Sequence, residues 1–143
     1  MIRVKWRFLQ KYDPGWGYRG CLYAYLTPSG KEILYIGKTW GTTVEDRWKR
    51  KWTFWKDLER QRGIRGVIPL VGEIYLPDEL RLTRELLADI ESLLIYIEKP
   101  WGNIQCQQKR IRRPGMQVKC TGNWPGTRKT YMDNKKKENA LSH

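Results

Sequence analysis

Cys21-Leu22-Tyr23-Ala24-Tyr25-Leu26-Thr27-Pro28-Ser29-Gly30-Lys31-Glu32-Ile33-Leu34-Tyr35-Ile36-Gly37-Lys38 is the stretch whose reading decides the fold. Its two ends, Cys21 to Thr27 and Glu32 to Gly37, are rich in aromatic, aliphatic and β-branched residues. The Thr-Pro-Ser-Gly between them is turn chemistry, with Pro28 presetting φ and Gly30 accepting a positive one. The pattern predicts a β-hairpin. Alternation along each strand sends Leu22, Ala24 and Leu26 to one face and Tyr23 and Tyr25 to the other, with Leu34 and Ile36 opposed to Tyr35. Tyr23 and Tyr35 can therefore share a face. Tyrosine is an ordinary strand residue, so what these two signify depends on what surrounds them.

Beyond Gly37-Lys38-Thr39 the chain passes Trp40-Gly41 and signals a helix start: Thr42 or Thr43, with Glu45 or Asp46 three positions on and acid in the first turn. Val44, Trp48, Trp55 and Leu58 are its expected buried stripe. Arg47 and Lys51 lie four apart and project from one side, with Arg50 beside them. A charge run of this kind is by itself a solvated face. From Leu82 to Glu98 a second helix is expected, since Leu86, Ile90, Leu93 and Ile97 recur at helical spacing and Leu87 and Leu94 widen the stripe. Glu91 is the anomaly in it, because Leu87, Ala88, Leu94 and Ile95 cannot neutralise a carboxylate. It must snorkel, pair with a remote cation, or bind a metal. Lys99-Pro100 ends the helix and Trp101-Gly102-Asn103 forms the exit turn.

Taken together these pieces resemble the GIY-YIG nuclease family. The first signature segment appears as Cys21-Leu22-Tyr23 and the second as Tyr35-Ile36-Gly37, with eleven residues between the tyrosines. Lys38, Arg47 on the first helix, Glu91 in Glu-Ser-Leu-Leu-Ile, and Lys-Pro-Trp-Gly-Asn ending at Asn103 follow in the family's order. The resemblance covers residues 20 to 104. Each piece is weak alone, whereas five in register form a fairly specific signal.

The resemblance implies a phosphodiesterase. Glu91 would hold one divalent cation, Mg²⁺ or Mn²⁺, against the scissile phosphate, an ordinary arrangement for a hard cation with one carboxylate and several waters. Arg47 would present its guanidinium fork to the charge gathering on the phosphate. Tyr23 would orient or deprotonate the attacking water with Tyr35 in support, Lys38 would bind phosphate or lower the pKa of the nucleophile, and Asn103 would orient the site from its edge. Where many members carry His or Tyr four residues after the arginine, this chain has Lys51, and its one histidine is His143. Lys51 would serve as a phosphate-binding cation or a base, or would mark a domain that has kept binding and lost turnover. Cys21 stands where the family's first glycine usually sits, a common replacement.

Composition points the same way. The 143 residues suit one domain, and the net charge of +13 suits a polyanion partner. Residues 1–104 hold 18 basic and 13 acidic side chains, and residues 105–143 hold 10 and 2. The second segment contains Lys109-Arg110-Ile111-Arg112-Arg113, Gly122-Asn123-Trp124-Pro125-Gly126 and Lys135-Lys136-Lys137. It is expected to be an arm or short strand packed through Ile111, Val118 and Trp124, with a flexible end that tracks a phosphate backbone. Of the eight tryptophans, Trp48 and Trp55 fall on the buried stripe, and Trp40 and Trp101 are the candidates for stacking on bases.

Ile2 to Leu9 alternates Ile2, Val4, Trp6 and Phe8 against Arg3, Lys5 and Arg7, a strand with one wet basic face. Val67 to Leu76 reads as a third strand of the hairpin's sheet, with Pro69 placing its start at an edge or bulge. No signal peptide, membrane-length apolar run or Gly-rich nucleotide loop is present, so a soluble cytoplasmic protein is the default. Cys21, Cys106 and Cys120 are odd in number and widely spaced, against a zinc knuckle or disulfide framework.

The expectation is thus an α+β, small GIY-YIG fold: a central three-stranded antiparallel sheet flanked by helices, with residues 1–104 as nuclease domain and 105–143 as a basic extension on the same domain. Its site is Tyr23, Tyr35, Lys38, Arg47, Lys51, Glu91 and Asn103, with Arg50, Lys109, Arg110, Arg112, Arg113, Trp40 and Trp101 contacting DNA. Two strand cuts from one site suggest a homodimer or sequential nicking. Two other readings stay open: a non-catalytic nucleic-acid-binding module on the same fold, and a basic RNA-associated structural protein. Both predict salt-sensitive binding without metal-dependent cleavage.

Overall fold

In the computed structural model, which describes residues 1–106, 111 and 115–133, the predicted hairpin forms from β2 (Cys21–Leu26) and β3 (Ile33–Thr39). The turn closes through Gly30 N–H to the Thr27 carbonyl at 2.7 Å, with Gly30 at φ +75°. Tyr25 lies opposite Tyr35 and Tyr23 opposite Gly37. That last pairing explains the glycine: a Cβ at Gly37 would fall inside the Tyr23 ring.

The chain is α+β, but the sheet is larger than expected. Six strands run in the order β3-β2-β4-β1-β5-β6, with β1 (Ile2–Phe8), β4 (Ile68–Tyr75), β5 (Gln117–Gly122) and β6 (Thr130–Met132) added to the hairpin. β1 pairs with β4 antiparallel and with β5 parallel, so the sheet is mixed. The three-stranded expectation missed this because Ile2, Val4 and Trp6 needed apolar partners on the same face. Val118, Cys120, Trp124 and Tyr131, all buried, supply them from the C-terminal segment, and Trp6 stacks on Trp124 with ring centroids 4.3 Å apart. Ile111, Val118 and Trp124 are buried as expected. Phe8, expected to point inward, is exposed, and its neighbour Leu9 enters the core.

Pro69 does not mark an edge, because β4 lies between β2 and β1. The Pro69 carbonyl accepts from Leu9 N–H at 2.9 Å, just beyond the last β1 pairing, Phe8 with Leu70. A strand residue's N and C=O point to the same side, so the missing N–H faces the end of β1 and costs no bond to β2.

Helix α3 (Arg84–Glu98) starts at Thr83, whose side chain accepts from Leu86 N–H, and stops at Lys99 in the left-handed conformation before Pro100. It lies along one face of the sheet, reaching β3, β2 and β6. Leu86, Leu87, Ile90, Leu93 and Leu94 bury completely against Val4, Leu22, Ala24, Ile36 and Leu70. Each such side chain contributes about 1.5–3 kcal/mol, so packing holds this helix in place.

On the opposite face α1 (Val44–Lys49) and α2 (Trp52–Arg62), with Trp16 and Tyr18, cover the β3-β2-β4 end. Thr43 and Asp46 form a full capping box. A single helix was expected over this region, but the chain breaks at Arg50 and Lys51, whose N–H groups turn back to Arg47 and Trp48. Seven residues of straight helix would separate Trp48 from Trp55 by about 10.5 Å along the axis. The break lets their rings meet at 4.8 Å, both against Tyr25. Among the described residues no helix is long and apolar enough to cross a membrane.

Candidate active site

The hairpin places three phenols on one face. Tyr23 and Tyr25 are buried and Tyr35 is partly so, with centroids 5.4 to 5.9 Å apart. Phe54 of α2 closes on Tyr35 at 5.5 Å, and Trp101 closes on Phe54 at 5.9 Å. Gly102 fits here because a Cβ would press on Phe54 and the Leu34 carbonyl. Burial, then the neighbouring Tyr35 and Tyr25, push the Tyr23 phenol far above its ordinary range, with Arg47 acting weakly the other way. Burial and Tyr35 do the same to Tyr25. A phenol shifted in this direction stays neutral, which disfavours the deprotonating role that its residue type allows.

The cations gather from three elements. Lys51 sits at the break between α1 and α2, its Nζ 4.0 Å from the centroid of Tyr35 and 5.9 Å from that of Tyr23. Lys38, at the end of β3, reaches Glu91 on α3, Nζ to Oε1, at 3.0 Å. Glu91 thus finds the remote cation its own helix lacks. Its side chain is 17 % exposed and that of Lys38 is 35 %. Burial raises the Glu91 carboxyl above its ordinary range, opposed by the charge and hydrogen bond of Lys38 and then by the fields of Arg47 and Lys51. Those couplings put Tyr23, Lys38, Arg47, Lys51 and Glu91 in one electrostatic neighbourhood. Arg47 holds its Nε buried with no hydrogen-bond partner among the described residues.

Asn103 has a definite structural task. Its Oδ1 accepts from Ile36 N–H and its Nδ2 donates to the Ile36 carbonyl, both at 2.9 Å. The amide thus pairs with β3 as a strand residue would and covers the sheet edge beside the site.

Trp40 is half-buried against the main core, and Trp101 is half-buried with the Arg62 guanidinium 5.9 Å from its ring centroid. Arg50 is exposed. Lys109, Arg110, Arg112 and Arg113 lie outside the described residues, as do Lys135, Lys136 and Lys137. Tyr25, not singled out in the sequence, belongs to the same cluster. It touches Tyr23, Tyr35, Trp48 and Trp55, and its hydroxyl is buried without a partner among the described residues. Its position two residues after Tyr23, on the same strand face, was the available signal.

Among the described residues no group of three or more His, Cys, Asp or Glu gathers, and Glu91 is the carboxylate that the fields of Lys38, Arg47 and Lys51 meet. Glu91 suits Mg²⁺ on its chemistry. It is a hard oxygen ligand whose charge is under-compensated even with three cations nearby, and Lys38 engages only Oε1. Mg²⁺ keeps most of its waters and takes one or two carboxylates beside a phosphate. No protein-family model, no curated protein and no solved structure matches the chain.

Proposed function

We propose that the chain is a metal-dependent endonuclease that hydrolyses phosphodiester bonds in DNA, a GIY-YIG domain on an enlarged sheet. The observation that carries this reading is the convergence, around the Tyr23–Tyr35 pair, of one under-compensated carboxylate with three cations drawn from β3, α1 and the α1–α2 break. A phosphate diester needs this combination: cations for its equatorial oxygens, a hard-metal ligand, and phenols to orient water. Mg²⁺ or Mn²⁺ held by Glu91 would supply charge stabilisation at the phosphoryl and leaving oxygens. Arg47, with donors left over, would bind the non-bridging oxygens, and Lys51 would hold the phosphate where the family more often has His or Tyr. Tyr23, kept neutral by burial, would align the water, and Tyr35 would support it.

A second reading, a DNA-binding module without turnover, is favoured by one observation: Tyr23 is only 1 % exposed, which leaves an attacking water little access to it. The two separate in one experiment. Supercoiled plasmid is incubated with the protein in Mg²⁺, in Mn²⁺ and in EDTA, and DNA binding is measured in parallel. Metal-dependent nicking supports the endonuclease. Binding without nicking, repeated on branched and single-stranded DNA, gives the module.

A further inference from the structure

The sheet face that carries the tyrosines continues past the helices, and the described residues leave it exposed there. Register fixes which side chains share it: Tyr23 opposite Val71, Val71 opposite Arg7, then Lys5 opposite Glu73 and Arg3 opposite Tyr75. β5 extends the row, with Lys119 beside Arg3 and Thr121 beside Lys5. α1 and α2 cover the tyrosine end, and Tyr18 lies over Arg7. Beyond them Arg3, Lys5, Tyr75, Gln117 and Lys119 are exposed.

The charge of this face is net positive, with Glu73 opposite Lys5 as a counter-charge. Arg3, Lys5 and Lys119 have no ion-pair partner among the described residues, and Glu73 is engaged by Arg7 and by the Tyr75 hydroxyl. Arg3 and Lys119 are cross-strand neighbours, and like charges in that relation destabilise a sheet. A merely solvated face would favour mixed signs there. The arrangement becomes favourable when a polyanion lies across it. The chain segments on either side of β5 and β6 repeat the sign in sequence, with Lys109-Arg110 and Arg112-Arg113 before and Lys135-Lys136-Lys137 after. Three inter-strand steps separate β1 from β3, about 14 Å at ~4.8 Å each, less than one helical turn of duplex at about 34 Å. One duplex can touch both.

We propose that the exposed Arg3-Lys5-Lys119 face of the sheet is a docking surface for the phosphate backbone of duplex DNA, holding the substrate while its scissile phosphate lies at the β3 edge. The second clause rests on the nuclease reading, and the docking itself does not.

The test uses the full chain and a fluorescein-labelled duplex in EDTA across a range of KCl, comparing wild type with Arg3→Gln/Lys5→Gln/Lys119→Gln. The expected result is weaker binding and a plot of log affinity against log salt that is shallower by about 2.7, since each phosphate contact contributes about 0.9. Lys5→Gln/Lys119→Gln is measured beside the triple variant and is expected to give a slope shallower by about 1.8, so a folding failure of the triple leaves the test intact. Unaltered affinity and slope in the folded variants overturn the proposal, as does equally tight, cation-dependent binding to phosphatidylserine vesicles. If the variants lose DNA binding while no metal supports cutting by wild type, the docking surface stands and the nuclease reading falls. If wild type cuts and the variants bind as it does, the reverse holds.

Discussion

Lys38 of β3 and Glu91 of α3 meet at 3.0 Å, 53 residues apart in sequence, and their ion pair joins the strand that carries Tyr35 to the helix that packs on the opposite face of the sheet. Chemistry from two faces can meet there because β3 is the sheet edge. The phenols reach the edge from the α1–α2 side, and the carboxylate reaches it from the α3 side. The pair is not a stability device on balance, since burial still holds the Glu91 carboxyl above its ordinary range.

A pH dependence follows from that direction. The folded-state value lies above the ordinary 4.5, so this group's contribution to stability is fully present below the unfolded value and is lost as pH rises through the folded one. Glu91→Gln does not ionise, and the partly exposed Lys38 can turn to water. The thermal midpoint of the variant is expected to match wild type in acid below the glutamate range and to exceed it at neutral pH, in melts across that interval.

Gly37 should tolerate no side chain. Gly37→Ala puts a methyl into the Tyr23 ring and forces the phenol or the strand to move, an overpacking cost of about 1–3 kcal/mol, with Gly37→Val worse. Urea unfolding measures it. Gly66→Ala, where an added Cβ meets nothing, is the comparison and should be near neutral.

Asn103→Ala removes two buried bonds to Ile36 and leaves that residue's N–H and C=O without their partner. The loss should be about 2–4 kcal/mol, given about 1–3 kcal/mol for a buried orphaned group. Hydrogen exchange at the Ile36 amide should quicken more than exchange in β1. Asn103→Asp keeps the acceptor for the Ile36 N–H but sets a second oxygen against the Ile36 carbonyl, and should not restore the protection at neutral pH.

The acid limb should trace to Asp13 and Asp46. The hydrogen bond from Arg7 holds the Asp13 carboxyl below its ordinary range, and the Thr43 backbone does the same for Asp46 in the capping box. A lowered folded value gives stability that is present above the unfolded value of 3.8 and lost as pH falls through the folded one. Asp13→Asn and Asp46→Asn should each lower the midpoint at neutral pH and flatten its fall in acid.

The local pattern of the chain was legible where one rule sufficed. Alternation separated Leu22, Ala24 and Leu26 from Tyr23 and Tyr25. A cap at Thr42 or Thr43, the stop at Lys99-Pro100 and the lack of any partner for Glu91 on its own helix were each readable from neighbours in sequence. What escaped depends on long-range pairing. Nothing local in Gln117 to Gly122 announces that β5 will lie parallel to β1, because its register is set by Trp6 against Trp124 across more than a hundred residues. The break at Arg50 and Lys51 escaped because Val44, Trp48, Trp55 and Leu58 fit one helical stripe, and only contact with Tyr25 favours bending it. Asn103 was read for chemistry, and its bonds to the Ile36 backbone could not be seen without the edge strand it covers.

The central claim is that Glu91 and Arg47 serve phosphodiester cleavage. Its most direct measurement is the single-turnover rate of plasmid nicking in Mg²⁺ by wild type, Glu91→Gln and Arg47→Ala, each first shown to be folded and to bind the DNA. The account predicts nicking by wild type that EDTA abolishes, and a loss of about 100-fold or more in each variant, as removal of a group that stabilises developing charge commonly costs. Metal-dependent nicking that persists undiminished in both variants would contradict it.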